Sequence, residues 1–579
     1  MNRLEKLLKK MTLREKLAQM VQVLPFVFTD DVDRNSLTGP LKELNVKQED
    51  LYNIGTVYPA LNVFDSEFIL NLKKQYFEKN PHGIPLLVAN DVVHGLRTIF
   101  PIPLAISCTW DPKMAELSVR VAAVESYAVG IHVTYAPMAD LVRDPRWGRV
   151  LESSGEDVRL ACEMTAGYVR GFQGDDVSRP GYIASCVKHF AGYGAVEGGR
   201  DYNNVDMSER RMREYYLPAY KAAVDAGCKM VMTSFNTVDG IPSTANKWLI
   251  QKILREEWDF KGVLISDWSA VTELINHTLA KDRKHAAELA VDAGIDIEMV
   301  STSFLDHLEE SISQGHVDMQ TIDKAVMRIL QLEEDLGLFE NPFRGHEQNP
   351  DEVLLCQAHR DAAREVARKS AVLLKNEDVL PFSDKNTIAL IGPYGDDGDI
   401  IGAWHADGRP EESITIYAAL KKRLGENLKY AKCCEVLGDE VDLQLAGETA
   451  AGSDYVVLAI GESPEHSGEC ASKTDISLSP QQIRLAEYLK EKAHKIIAVV
   501  FCGRPLDLTR LSQICDAILL VWFPGTQGGE AITELLLGDY SPSGKLSTSF
   551  PRSVGQIPVH YDHFTTGRPL TGDEYDLYS

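Results

Sequence analysis

The ten cysteines, running from Cys108 to Cys515, include no Cys-x-x-Cys pair and no His and Cys cluster at zinc spacing, so no structural zinc site is expected. Nowhere do 18 apolar residues follow one another without interruption, which excludes an expected membrane span. The first 20 residues carry Lys, Arg and Glu throughout at helical spacing, with neither an apolar core segment nor a small-residue cleavage site, so no signal peptide is read. A P-loop and a well-placed Gly-x-Gly-x-x-Gly fingerprint are both missing. Positive charge is scarce, 60 Lys and Arg against 85 Asp and Glu, and a net charge of -25 disfavours nucleic acid and anionic membranes as partners. Cys186, Cys502 and the adjacent pair Cys433 and Cys434 sit in or beside apolar runs and read as reduced, buried thiols, which suits a cytoplasmic chain.

What is present is enough for large cores: 579 residues with 44% hydrophobic side chains, well beyond the ~250–300 at which a single core stops growing. Between residues 53 and 300, short β-branched runs at 54–58, 86–89, 132–136, 183–187, 229–233, 262–266 and 295–299 alternate with helical patterns such as 113–129 and 209–226. This βα series implies parallel strands. Nearly every run ends in a polar group, namely Asp91, Asp140, Arg143, Lys188 with His189, Ser234, Asp267 and Glu298. In a (β/α)8-type, TIM-like barrel, reactive groups come from the C-terminal ends of several strands, so these read as one ring of site residues; ordinary βα turns would also carry polar residues there.

The pattern breaks at Asn341-Pro342 and Asn349-Pro350, the best domain boundary. After a helix over 357–370, continuously apolar runs at 388–391, 428–431, 455–460, 495–501 and 517–523 again alternate with helices, as in an αβα sandwich with a mostly parallel sheet. The expected organisation is therefore a barrel over 1–343, a linker and connecting helix over 344–370, the sandwich over 371–559 and a tail over 560–579.

Asp267 directly follows a buried strand and precedes Trp268, which places a carboxylate beside a flat apolar platform. A carboxylate can attack an anomeric carbon while an indole face packs on a pyranose. A helix cap would look the same locally. Lys188 and His189, flanked by the cations of 143–149 and by 198–202, are suitable donors to sugar hydroxyls, with Asp91 a suitable acceptor. A structural ion network, or a phosphate site, would use the same residue types.

Together the motifs become specific. Asp-Pro-Arg-Trp-Gly-Arg (144–149), Lys-His-Phe-Ala-Gly-Tyr-Gly (188–194), Gly-Arg-Asp-Tyr-Asn (199–203) and Ser-Asp-Trp (266–268) resemble, in order and spacing, the signature run of glycoside hydrolase family 3. Met-Thr-Leu-Arg-Glu-Lys-Leu-Ala-Gln (11–19), Val-Leu-Leu-Lys-Asn-Glu (372–377, placed in the connecting helix), Ile-Gly-Pro (391–393) and Pro-Gly-Thr-Gln-Gly-Gly-Glu (524–530) extend the resemblance over roughly residues 5–560.

The resemblance is to the β-glucosidase branch. It implies Asp267 as nucleophile, with Asp91, Arg149, Lys188 and His189 holding the innermost sugar and Trp268 as an aromatic wall. The acid/base of this family is a glutamate on a second-domain loop, here 461–478. Glu469 is the choice among Glu462, Glu465 and Glu469, because Glu-Cys-Ala-Ser-Lys-Thr-Asp (469–475) resembles the family's run; Glu465 is the runner-up. Phe235 stands where many members carry Tyr, which removes a hydroxyl near the nucleophile. The loop His of the N-acetylglucosaminidase branch is absent from 188–194. Larger members continue beyond Tyr561 into a fibronectin-III-like sandwich, which is expected to be absent here, the chain reading either as a two-domain form or as a truncated one.

The implied activity is retaining hydrolysis of short β-glucosides or β-oligoglucans, with no cofactor and no metal. A β-xylosidase or mixed-specificity enzyme is the alternative, and a silent carbohydrate-binding protein a further one. Cations near Asp267 are expected to keep it ionised, and Glu469 to hold its proton to higher pH. Because the two groups lie on different domains, the barrel over 1–345 is expected to be nearly inactive alone. Linkage preference is not legible, and no heptad marks an oligomer, so a homodimer is left open.

Overall fold

The computed structural model describes residues 2–29, 44, 46–59, 65–493 and 495–568. Eight short strands, Val21–Val23, Thr56–Val57, Leu87–Asn90, Val133–Thr134, Ala184–Phe190, Met230–Thr233, Val263–Ile265 and Glu298–Met299, lie side by side in parallel in chain order. Val21 pairs with Glu298, and a bridge between Ile265 and Ile297 brings the seventh strand to the eighth, so the sheet is a nearly closed barrel. The strands are apolar on both faces because one face meets the barrel interior and the other the helices. Pro112–Ala128 and Val158–Gln173 pack against each other outside, each starting on an aspartate that accepts a backbone N–H, Asp111 from Lys113 and Asp157 from Leu160. The stretch read as a single crossover helix over 209–226 is divided before Pro218, whose ring leaves no N–H to continue the ladder.

The second sheet has six strands. Leu428–Ala431, Ile388–Ile391, Tyr455–Gly461, Ile496–Phe501 and Ala517–Leu520 are parallel neighbours in that order, and Val372–Asn376 joins the end of the row antiparallel to Ala517–Leu520. The last assignment corrects the sequence reading of 372–377 as part of the connecting helix. That helix is Gln357–Ser370, and Ala371 is already extended, at φ -67 and ψ 136.

The two domains share a continuous buried apolar cluster and also meet along a polar seam. Arg504, fully buried, donates Nε to Glu462 at 2.7 Å and uses its remaining N–H groups on the carbonyls of Pro145 and Arg146 in the barrel and of Ala471 in its own domain. Gly468 N donates to Gly148 O at 2.8 Å, and a Cβ on Gly148 would run into that same Gly468 carbonyl, so only glycine admits the approach. Residues 560–568 contain no regular element and touch the barrel through Asp562 and Arg143, 2.7 Å apart.

Candidate active site

A cavity of about 470 Å³ opens where the C-terminal ends of the barrel strands face the second domain. Asp91, Arg149, Lys188, His189, Phe235, Asp267, Trp268 and Glu469, the eight residues singled out from sequence, all line it. Tyr58, Tyr202, Met232, Glu273, Met299 and Trp404 complete the wall.

Its floor is a chain of buried charges. Lys188 Nζ lies 2.6 Å from Asp91 Oδ1, and Tyr58 donates its hydroxyl to Asp91 Oδ2 at 3.0 Å. Arg149 donates to both oxygens of Glu152, at 2.7 and 3.1 Å, and Lys188 lies 3.9 Å from the same carboxylate. Burial opposes the Lys188 charge, but Asp91 and Glu152 outweigh it and hold the ammonium above its ordinary range. Charges this deep persist only when paired, and here the pairing also fixes two donors and an acceptor toward the cavity.

His189 is oriented from behind. Asp140 accepts the Tyr220 hydroxyl, the His189 backbone N–H at 3.1 Å and His189 Nδ1 at 2.9 Å. An oxygen pair receiving so many donors needs the proton of His189 on Nδ1, which leaves Nε2 as an acceptor toward the cavity. Burial, then Arg149 and Lys188, push the imidazole well below its ordinary value, so it is neutral. Burial pushes Asp140 up to about 6.

Asp267 is 7% exposed. Its Oδ1 accepts the Trp268 N–H at 2.6 Å, whereas Oδ2 has no hydrogen-bond partner among the described residues and lies 3.7 Å from His189 Nε2. Burial raises this carboxyl well above its usual range, the charge of Glu469 adds to the rise, and Arg149 and Lys188 only reduce it. The expectation that nearby cations keep Asp267 ionised is corrected accordingly, since desolvation and a second acid outweigh them.

Glu469 comes from the other domain. Its Oε1 accepts the Tyr202 hydroxyl at 2.6 Å, and Oε2 lies 3.7 Å from Arg149 Nη1. Glu462 is consumed by Arg504 and does not reach the cavity, nor does Glu465 line it. Glu273 faces the cavity with no ion-pair partner among the described residues, and burial followed by the Glu469 charge pushes it up to about 7.

Several strand-end residues expected in the ring lie elsewhere. Arg143 pairs with Asp562 and stacks over Tyr215, and Ser234 donates to Asn236. Glu298 accepts the backbone N–H groups of Ser303 and Phe304 at 2.9 and 2.7 Å, capping the next helix. Asp140 sits one layer behind the cavity wall. Conversely, Trp404 escaped sequence reading. It lies on the loop after Ile388–Ile391, with Lys188 Nζ 5.3 Å and Arg149 Cζ 5.4 Å from its ring centre, and a loop tryptophan carries no periodic signal. Among the described residues no three His, Cys, Asp or Glu side chains are grouped as a metal site, and no helix is long and apolar enough to cross a membrane.

A cavity with hydroxyl-binding groups on its floor, an indole on its wall and two carboxyl groups from separate domains is suited to cleaving an acetal between sugars. Comparisons with known proteins agree with that chemistry. Residues 12–332 match the family model described as Glycosyl hydrolase family 3 N terminal domain, and residues 371–579 the one described as Glycosyl hydrolase family 3 C-terminal domain. The chain is 38% identical over 602 aligned residues to a periplasmic β-glucosidase of Salmonella typhimurium, covering 99% of this chain and 77% of that protein. It is 34% identical to a β-xylosidase of Formosa agariphila, over 83% of this chain and 70% of that one. Crystal structures of a β-glucosidase from Listeria innocua, in complex with isofagomine and, as a mutant, with laminaribiose, superpose with a TM-score of 0.95 at 42% identity, covering 100% of this chain and 80% of that one.

Proposed function

Because the chain belongs to glycoside hydrolase family 3, we propose that it is a retaining β-glucosidase releasing glucose from the non-reducing end of short β-glucosides or β-oligoglucans. The observation that carries this reading is the pair of carboxyl groups in one cavity, Asp267 from the barrel and Glu469 from the second domain, of which Asp267 keeps one oxygen clear of any hydrogen bond among the described residues.

In this reading Asp267 Oδ2 attacks the anomeric carbon as the glycosidic C–O bond breaks, and Glu469 gives its proton to the leaving oxygen. A covalent glucosyl ester on Asp267 results. Water then attacks the same carbon, passing a proton back to Glu469, and the ester bond breaks with β configuration restored. Acidic groups outnumber cations around the cavity, which favours the positive charge that develops on the sugar ring. Asp91, Lys188, Arg149 and the Nε2 lone pair of His189 supply acceptors and donors for the glucose hydroxyls, and Trp268 and Trp404 supply aromatic faces. The relatives support glucose, laminaribiose being the ligand bound to the mutant of the Listeria enzyme, while the β-xylosidase relative keeps xylosides as the second reading. Ten free thiols support a reducing, cytoplasmic setting, which cell fractionation tests.

Proton NMR of the sugar first released from an aryl β-glucoside, recorded before the anomers interconvert, tests the proposal. The β anomer first is the expected result. The α anomer first would overturn retention, and release only from β-xylosides would overturn the choice of sugar.

A further inference from the structure

The carboxyl assigned as acid/base belongs to a loop with one short 3-10 turn, Pro464–His466, and it is held from the opposite domain. Tyr202, on the barrel loop after the strand Ala184–Phe190, donates its hydroxyl to Glu469 Oε1 at 2.6 Å and also meets Cys470 Sγ at 3.1 Å. The preceding residue, Asp201, accepts the Trp147 Nε1–H at 2.6 Å and the Cys470 backbone N–H at 2.7 Å. Ser472 donates its hydroxyl to the Gly199 carbonyl, and Lys473 N donates to Arg146 O at 2.9 Å. Gly199 itself, at φ +63, lies so close to Trp147 that a Cβ would sit 2.5 Å from its backbone nitrogen.

Tyr202 adopts φ 64, a left-handed conformation that disfavours a non-glycine residue. Such a conformation persists where surrounding contacts over-determine it. Those contacts are visible: the ring stands edge-on to Phe235 with centroids 4.9 Å apart, and the hydroxyl reaches across the seam to Glu469. Burial and the Glu469 charge raise the phenol well above its ordinary value, so it is a donor at any working pH.

From this geometry we infer that Tyr202 is a positioning residue for the acid/base, its hydroxyl fixing Glu469 Oε1 and stabilising the carboxylate that remains once the proton has gone to the leaving oxygen, with Asp201 anchoring the loop. The inference rests on the assignment of Glu469 as acid/base. With Oε1 occupied by the phenol, Oε2 is the oxygen that carries the transferable proton. A donor aimed at Oε1 stabilises the carboxylate as the proton leaves, so the benefit falls on the step in which the C–O bond breaks and is greatest for poor leaving groups.

Tyr202→Phe keeps the ring on Phe235 and removes only the hydroxyl. kcat/KM is measured across aryl β-glucosides whose leaving groups run from dinitrophenol to unsubstituted phenol, with thermal melting as a check that the fold is intact. The expected result is a loss of about tenfold for the phenyl glucoside, shrinking steadily toward the dinitrophenyl glucoside. The same loss for every leaving group would overturn the inference, since that is what a merely structural role produces. Glu469→Ala with added azide separates the underlying assignment. Azide restoring turnover of the dinitrophenyl glucoside as β-glucosyl azide upholds Glu469, whatever Tyr202→Phe does; no rescue would remove the assignment and this inference together.

Discussion

Glu469 stands close enough to Asp267 for its charge to be the largest influence after burial on that carboxyl, although the two residues belong to separate domains. The proposed nucleophile must be ionised to attack, so activity should be lost as pH falls through its raised pKa. As the proton donor Glu469 is uncharged in the active form, so the neutral Glu469→Gln should leave the acid limb of kcat/KM where it is, measured with a dinitrophenyl glucoside that needs little proton donation to leave. An acid limb that moves to lower pH in this variant would contradict the role of Glu469 as proton donor.

Asp140 never faces the sugar cavity, yet it decides which nitrogen of His189 does the accepting. Asp140→Asn presents an amide that can donate to Nδ1, which would turn the imidazole into its other tautomer and replace the Nε2 lone pair by a hydrogen. We expect kcat/KM to fall by at least about tenfold, in line with a lost hydrogen bond plus a misplaced donor, with the melting temperature changed far less. Equal kcat/KM in the variant and the parent would show that Nε2 takes no hydroxyl proton.

Arg504 ties Glu462 and the carbonyl groups of Pro145, Arg146, Trp147, His466 and Ala471 across the seam. Arg504→Met strands a buried carboxylate, for which a cost of about 3–5 kcal/mol is typical. Lower thermal stability and lower activity are expected together, and Glu462→Gln added to the variant should recover part of the stability. A melting curve unchanged by Arg504→Met would exclude this account of the seam.

Much of this architecture is readable from apolar runs. The strands within 86–89, 183–187, 229–233 and 262–266 stand out because they are long enough to show continuous β-branched burial and end in glycine, proline or charge. Val21–Val23 does not, since three residues offer no period. Val372–Asn376 misleads for a different reason: it follows a helix with a single intervening residue, and its leucines and lysine suit either state until an antiparallel partner is supplied from 140 or so positions away. Within the cavity, Asp267 and Lys188 are legible because strand ends point there. Glu298 looks alike in sequence but turns to backbone amides, and Trp404 and Tyr202 depend on loops whose path is set by the opposite domain.

Stability carries its own pH signature. Glu333 is completely buried, neither carboxyl oxygen has a partner among the described residues, and burial raises it well above the usual carboxylate range. The folded state therefore keeps this proton. Its contribution is fully present below the unfolded value of about 4.3 and is lost as pH rises toward the folded one. Glu333→Gln should stabilise the protein by on the order of 1 kcal/mol or more at pH 8 relative to pH 5, read from denaturant unfolding at the two pH values. A variant with the parent's pH dependence would refute the assignment.

The polar seam under the cavity gives the protein a mode of failure distinct from melting. Buried apolar contacts join the halves as well as the seam, yet the reacting pair exists only while they stay in register. A small slip of one half on the other, well short of unfolding, would therefore silence the enzyme with its helical signal still intact.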